Sequence, residues 1–354
     1  MRISIIGQSM SGKSTVFRAL TGAQEGTPGG DVETTVRAVR VPDERVDAAT
    51  RIYSPKKTSY ANVEYVDLGA AARTKEAEGE LGTAFLNAVR PATALLHVID
   101  GFSNPDDIAG SVAEAVDAID TELVLSDLGV CEKRLTRLRK QAAKAGPEVE
   151  ERRQLEKAVE MLSEGRPLRT EQELSAHPAL RNFTLLSSKP IVTVVNTDED
   201  NASWDTSKLS EEVRNAREGE WGEIIALCGQ LEAEIAALPP EEAAAFLSDY
   251  GIESPARERV IRVSYELLGL MPFYTVGPDE VRAWTIRKGA SAQEAAGAIH
   301  TDIARGFIRA EVLGYDTMME AGSFEDAKKK GKVRLEGKSY VMQDGDIVSF
   351  RFNV

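Results

Sequence analysis

Residues Gly7-Gln8-Ser9-Met10-Ser11-Gly12-Lys13-Ser14 follow the apolar run Ile3, Ile5, Ile6 and precede the helix-like stretch Thr15 to Leu20. The octet satisfies GxxxxGK[ST], the phosphate loop, in the strand-to-helix setting that its chemistry requires. Its two glycines let backbone amides turn inward around phosphate oxygens. Lys13 brings a point charge to the terminal phosphates, and the Ser14 hydroxyl is a magnesium ligand. Gly7, Ser9, Met10, Ser11, Gly12, Lys13, Ser14 and Thr15 are therefore the expected phosphate-contacting residues, with Lys13 the catalytic one. The competing reading is a glycine-rich turn that merely closes a βα unit, and eight ordered positions in the right context weigh against it.

Outward from the loop, short apolar strands alternate with helical stretches, at Ile3 to Ile6, Val63 to Val66 and Ala94 to Ile99. Pro190 to Val195 and Glu223 to Leu227 resume the strands, with a helix over Gln230 to Leu238. This alternation predicts an α/β fold, a parallel sheet with helices on both faces and the loop at the carboxyl ends of the strands. Between the two halves, Leu128, Cys131, Leu135, Leu138 and Ala142 recur at spacings of three and four. Ala145-Gly146-Pro147 breaks that period, and Leu155, Val159 and Leu162 resume it, which predicts an inserted antiparallel helical hairpin. Lys133, Arg134, Arg137, Arg139, Lys140 and Lys144 make its first helix basic.

Past Pro239-Pro240 comes a helical connector, then a strand at Val281 to Ile286 and Ser291 as N-cap of a helix ending near His300. Strands follow at Phe307 to Val312 and, after the turn Gln343 to Asp346, at Ile347 to Phe352. This part reads as strands around one helix. The expected organisation is a nucleotide-binding domain of residues 1–120 and 187–267, a hairpin of 121–186 and a C-terminal domain of 268–354.

Of the 354 residues, 42% are hydrophobic and 28% charged, and no apolar run approaches the roughly 18 residues that cross a bilayer. The first strand begins at once, leaving no room for an export leader, so a cytoplasmic protein with no membrane partner is expected. A net charge of −14 argues against a protein that coats nucleic acid, and no sequence-specific DNA binding is expected. Cys131 and Cys228 suit neither a disulfide framework nor a zinc site. His97, within a strand, and His177, before a proline, read as structural, and no hydrolytic triad is recognisable.

The strand Ile191 to Val195 ends in Asn196-Thr197-Asp198-Glu199, where a guanine-specific switch protein carries Asn-Lys-x-Asp. There the aspartate accepts from guanine N1 and N2 while the lysine packs beside the base. Thr197 in place of lysine and Glu199 in place of aspartate alter both contacts, which favours ATP over GTP. The alternative is that Asn196 ends a strand and Glu199 is merely solvated. Cys228 and Gly229, after the next strand, complete the candidate nucleotide-contacting set.

At this point the chain resembles the YchF group of Obg-like ATPases. The resemblance rests on Val41-Pro42-Asp43-Glu44-Arg45, Asn196 to Glu199, Val281 to Thr285, Gly306 to Val312 and the closing Phe350 to Val354. It implies a G-type domain, the inserted hairpin and a C-terminal TGS domain of β-grasp type. It also implies slow ATP hydrolysis, a magnesium cofactor, and the ribosome or ribosomal RNA as partner. Several positions depart from that family's pattern. Met10 stands where an asparagine resembles a potassium ligand, so potassium stimulation is expected to be absent. The second switch reads Asp67-Leu68-Gly69-Ala70, with glycine one place early and Ala71 unable to orient water. Asp67 is still expected to reach the metal. In the first switch Asp31 aligns with a metal-binding threonine, leaving Thr34 or Thr35 as substitutes, and Asp107 aligns with a water-positioning histidine. These changes imply very slow turnover, or a regulatory module that binds ATP or GTP without hydrolysis. Lys328, Lys329, Lys330, Lys332, Arg334 and Lys338, with Glu336 as the one acid among them, offer a basic patch for RNA phosphates.

Overall fold

The computed structural model describes residues 1–23, 34–68, 82–104, 106–141, 146–200, 206–216, 222–249, 252 and 254–353. In chain order these form β1 (Arg2–Ile6), α1 (Lys13–Thr21), β2 (Thr35–Arg40), α2 (Glu44–Tyr53), β3 (Lys57–Ser59), β4 (Asn62–Asp67), α3 (Thr83–Val89) and β5 (Ala94–Asp100). Then come α4 (Ile108–Gln141), α5 (Pro147–Ser163), β6 (Ile191–Asn196), α6 (Thr206–Ala216), β7 (Ile224–Leu227) and α7 (Gly229–Ala237). The chain divides into two compact units, Met1–Val39 with Glu64–Ser264, and Arg40–Val63 with Tyr265–Val354.

The first unit is built on a sheet of order β2-β4-β1-β5-β6-β7. Pairings β1·β4, β1·β5, β5·β6 and β6·β7 are parallel. All six residues of β6 are buried, as expected for a strand covered on both faces. The chain leaves β1 toward β4 on one side and reaches β5 on the other. β1 is thus the switch point, where α/β sheets open a crevice at the carboxyl ends of their strands.

The hairpin is present, but its first helix starts at Ile108 and not near residue 121. The apolar period simply continues upstream: Val112 and Val116 pack with Ile99 and Val195, while Ile119 and Leu123 pack with Ile6 and Leu95. No breaker intervenes, so one helix of about 50 Å serves sheet and hairpin alike. Farther along, Cys131, Leu135 and Leu138 pack with Leu155, Ala158 and Leu162 of α5. Part of the basic face of α4 is spent on this seam, since Arg134 donates to both carboxylate oxygens of Glu151 at 2.6 and 3.0 Å.

The connector's helices α8 (Pro240–Asp249) and, for most of its length, α9 (Ala256–Leu267) close the first unit, and the second continues with β8 (Leu270–Thr275), β9 (Glu280–Arg287), α10 (Ala292–Ile299) and α11 (Thr301–Arg305). β10 (Phe307–Gly314), α12 (Tyr315–Ala321), α13 (Phe324–Lys329), β11 (Arg334–Glu336) and β12 (Asp346–Phe352) complete it. Its sheet runs β11-β10-β12-β8-β9-β3, mixing antiparallel β8·β9 and β10·β12 with parallel β12·β8 and β3·β9. α10, opened by the reciprocal Ser291–Glu294 capping box, buries Ala292, Ala295 and Ala296 against Phe273, Ile286, Val312 and Val348. That is a β-grasp core. It carries four helices after residue 268 where the sequence suggested one, because α11, α12 and α13 are too short to show a period.

Residues 40–63 belong to this unit, although the sequence placed them in the nucleotide-binding domain. The reason is long-range pairing. β3 is the edge strand beside β9, with Lys57 opposite Glu280 and Ser59 opposite Arg282. Asp43 caps α2 and accepts from the Tyr274 hydroxyl at 2.5 Å, and Arg45 donates to Asp43 and to Asp344 at 3.0 and 2.8 Å. The Tyr53 hydroxyl accepts from the amide of Phe324 at 2.6 Å. The 328–338 patch is partly paired: Lys328 with Glu311, Lys332 with Glu320 and Arg334 with Asp346 across a dozen or more residues of sequence, and Lys329 with Asp326 and Arg334 with Glu336 close by.

Tyr274 is buried, and burial together with the neighbouring Asp43 carboxylate pushes its phenol well above the ordinary range, so it stays a donor. Tyr274→Phe leaves Asp43 short of that donor and is expected to lower stability by roughly 1.5–3 kcal/mol in urea unfolding, the usual worth of a hydrogen bond to a charged group.

Candidate nucleotide-binding site

The phosphate loop leaves β1 through Gly7, whose φ is 144°; a Cβ there would lie 2.1 Å from the carbonyl oxygen of Val98. Gly12 sits at φ 85°, and its Cβ would fall 2.1 Å from Asn196 Nδ2. Both glycines are thus demanded by close approach as well as by backbone angle. Between them Met10 is left-handed at φ 68° and 89% exposed, a conformation that costs a non-glycine residue about 1–2 kcal/mol. Lys13 opens α1 and is buried, its Nζ donating to the carbonyls of Gly7 and Gln8 at 2.6 and 2.5 Å. The ammonium is held across the mouth of the loop, beside the amides of a helix N-terminus, where phosphate binds best. Ser14 Oγ donates to Asp67 Oδ2 at 3.1 Å, so the two expected metal ligands converge.

Asn196 ties the phosphate side to the base side. Its Nδ2 donates to the carbonyl of Ser11 at 3.1 Å, and its Oδ1 accepts from the amide of Gly229 at 2.9 Å. The end of β6 is thereby fixed to the loop and to the start of α7. Thr197 is buried, its amide donating to Leu227 at 3.0 Å. A cavity of about 780 Å³ opens here, lined on one side by Met10, Gly12, Lys13, Ser14 and Thr15, and on the other by Asn196, Thr197, Glu199 and Cys228. Gly7, Ser9, Ser11 and Gly229 do not line it; Gly7, Ser11 and Gly229 lie behind the wall, and Ser9 is exposed. Phe102, Asp198, Asp200 and Gln230 also line it and were not anticipated. Phe102, two residues past the end of β5, carries no sequence signal that separates it from a core aromatic.

Thr35 begins β2 and Thr34 precedes it, whereas Asp31 and Gly69 to Ala71 fall outside the described residues. Asp107 does not line the cavity; its Oδ1 accepts from the amide of Gly110 at 2.9 Å and caps α4. His177 accepts from the amide of Ala179 and stands 3.5 Å from Glu150, a capping role in the hairpin. Both cysteines are buried, and burial raises each thiol's pKa.

His97 lies in mid-sheet on β5, opposite Ile6 of β1, fully buried, with no partner for Nδ1 among the described residues. Burial first, then the charges of Arg169 and Lys13, lower its pKa to about 3. The folded state therefore binds this proton less readily than the unfolded chain, near 6.5. Its share of stability is complete above pH 6.5 and falls as the pH drops toward 3. His97→Leu is accordingly expected to lose roughly 2–3 kcal/mol less than wild type between pH 6.5 and 4.5, read from urea midpoints at each pH.

A glycine-rich loop between β1 and α1, with an asparagine latch from β6 at the switch point of a parallel sheet, defines a P-loop nucleotide-binding protein of the G type. A family model described as "50S ribosome-binding GTPase" matches residues 2–129, and YchF-GTPase_C, described as "Protein of unknown function (DUF933)", matches residues 270–353. The chain is 40% identical to "Ribosome-binding ATPase YchF" of Bacillus subtilis (strain 168) over 99% of its own length and 98% of that protein's. It is 34% identical to "Obg-like ATPase 1" of Oryza sativa subsp. japonica, covering 100% of this chain and 92% of the rice protein. The solved YchF GTPase of Schizosaccharomyces pombe superposes with a TM-score of 0.83 at 27% identity, over 99% and 97% of the two chains. The chain belongs to the YchF family of Obg-like P-loop nucleotide hydrolases.

Proposed function

We propose that this protein binds ATP with magnesium, hydrolyses it slowly, and uses the bound state to set its affinity for the ribosome in the cytoplasm. Full-length relatives named ribosome-binding ATPases support the partner and the nucleotide. The observation that carries the choice of base is Thr197, buried at the edge of the cavity where a guanine-specific site holds lysine, with Glu199 on the wall beyond it. Thr197 offers no aliphatic stem to pack along guanine, and Glu199 is one methylene longer than the aspartate that reads guanine N1 and N2. Among the described residues no helix is long and apolar enough to cross a membrane.

The oxygens of Ser14 and Asp67 suit magnesium, which takes one or two protein oxygens and completes its shell with phosphate and water. Bound there, the ion would neutralise charge developing on the phosphates. Lys13, held by two carbonyls, adds a second positive charge toward the β- and γ-phosphates without reorganising. Asn196 keeps that cradle in register with the base. Asp107, which aligns with a water-positioning histidine, is spent on capping a helix, and this supports slow turnover. The same observation favours a second reading, a regulatory module that binds nucleotide and leaves it intact.

Two measurements test this. In competition against a fluorescent nucleotide, ATP is expected to displace it at lower concentration than GTP; equal or stronger competition by GTP contradicts the adenine assignment. In single turnover at excess protein, wild type is expected to form ADP and phosphate and Lys13→Ala none; retained binding with no product establishes the module.

A further inference from the structure

Phe102 is a large apolar side chain left 39% exposed on the wall of the nucleotide cavity, in a loop held far more firmly than its surface position requires. Asp100, the last residue of β5, holds it. Asp100 Oδ1 accepts from the amides of Phe102 and Ser103, both at 2.9 Å, and its Oδ2 accepts from Ser103 Oγ at 2.5 Å. Between them the amide of Gly101 donates to the carbonyl of Asn196 at 2.8 Å, and a Cβ on Gly101 would lie 2.7 Å from Val195 Cγ1. Asp100 is itself the sheet partner of Asn196. Three hydrogen bonds to Asp100 thus fold residues 100–103 into a turn, and a fourth, from Gly101, ties that turn to Asn196 at the end of β6.

We infer that Asp100 is a positioning residue for base recognition, its carboxylate fixing the 100–103 turn so that Phe102 presents its ring to the purine of the bound nucleotide. This rests on the ATP-binding reading above. Every purine offers an aromatic face, and a ring whose backbone is already immobilised gives up little conformational freedom on stacking. The carboxylate itself touches no nucleotide. Removing it frees the turn, and the ring spends less time against the base. A residue that served only to terminate β5 would alter stability and leave binding of the base unchanged.

The test is a double-mutant cycle on the full chain, with dissociation constants for ATP and for tripolyphosphate, which has no base. Stacking contributions make Phe102→Ala about 5- to 100-fold weaker for ATP. Asp100→Ala is expected to weaken ATP at least threefold, to add less than twofold in the Phe102→Ala background, and to leave tripolyphosphate unchanged. Asp100→Asn keeps an acceptor for both amides and is expected to stay within about twofold of wild type. If Asp100→Ala does not fold, Asp100→Leu, of similar size and with no acceptor for either amide, takes its place. Wild-type ATP affinity in the alanine variant, equal losses in both backgrounds, or an equal loss for tripolyphosphate overturns the inference while the nucleotide assignment stands. Failure of wild type to bind ATP overturns both.

Discussion

The site depends on one buried carboxamide. Asn196 spans from the carbonyl of Ser11 to the amide of Gly229, and Gly12 has no side chain because the Asn196 amide occupies that space. Two hydrogen bonds in a dry environment hold three segments that are distant in sequence, the phosphate loop, the end of β6 and the start of α7. Each partner left unpaired there would cost about 1–3 kcal/mol, so the arrangement is all or none. The phosphate cradle and the base pocket therefore share a single mechanical element.

Around that latch the first unit divides its work along one long helix. The early turns of α4 pack on the sheet beneath the site through Val112, Val116 and Leu123, and its later turns form the hairpin seam through Leu135 and Leu138. The return from the hairpin is anchored as well. Asp127 is completely buried and accepts from the amides of Leu186 and Ser187 at 3.0 and 2.7 Å and from the Ser187 hydroxyl at 2.7 Å, just before β6. Burial raises its pKa while those three donors oppose the rise. The strand that supplies Asn196 thus begins at a pinned point and ends at one.

What the sequence disclosed was local or periodic. The phosphate loop is legible because its chemistry resides in backbone angles and one lysine, both written in consecutive residues. The N-cap at Ser291 and the alternation of strands such as β1, β5 and β6 with helices are legible for the same reason. What stayed hidden was non-local. Residues 40–63 carry no pattern that pairs Lys57 with Glu280, and nothing near Lys328 announces Glu311. Asp107 aligned with a catalytic position, yet its side chain answers the local demand of a helix N-terminus. Phe102 was missed because a lone aromatic after a strand looks like core until its exposure is known.

The most direct measurement is the affinity of Asn196→Ala for ATP and for tripolyphosphate by calorimetry with magnesium present. If one carboxamide holds both halves of the site, both ligands weaken at least fivefold, the lower bound set by leaving the Ser11 carbonyl and the Gly229 amide unpaired. A variant that binds tripolyphosphate like wild type and loses affinity only for ATP would show that Asn196 serves the base alone, and the account of a shared latch would be wrong.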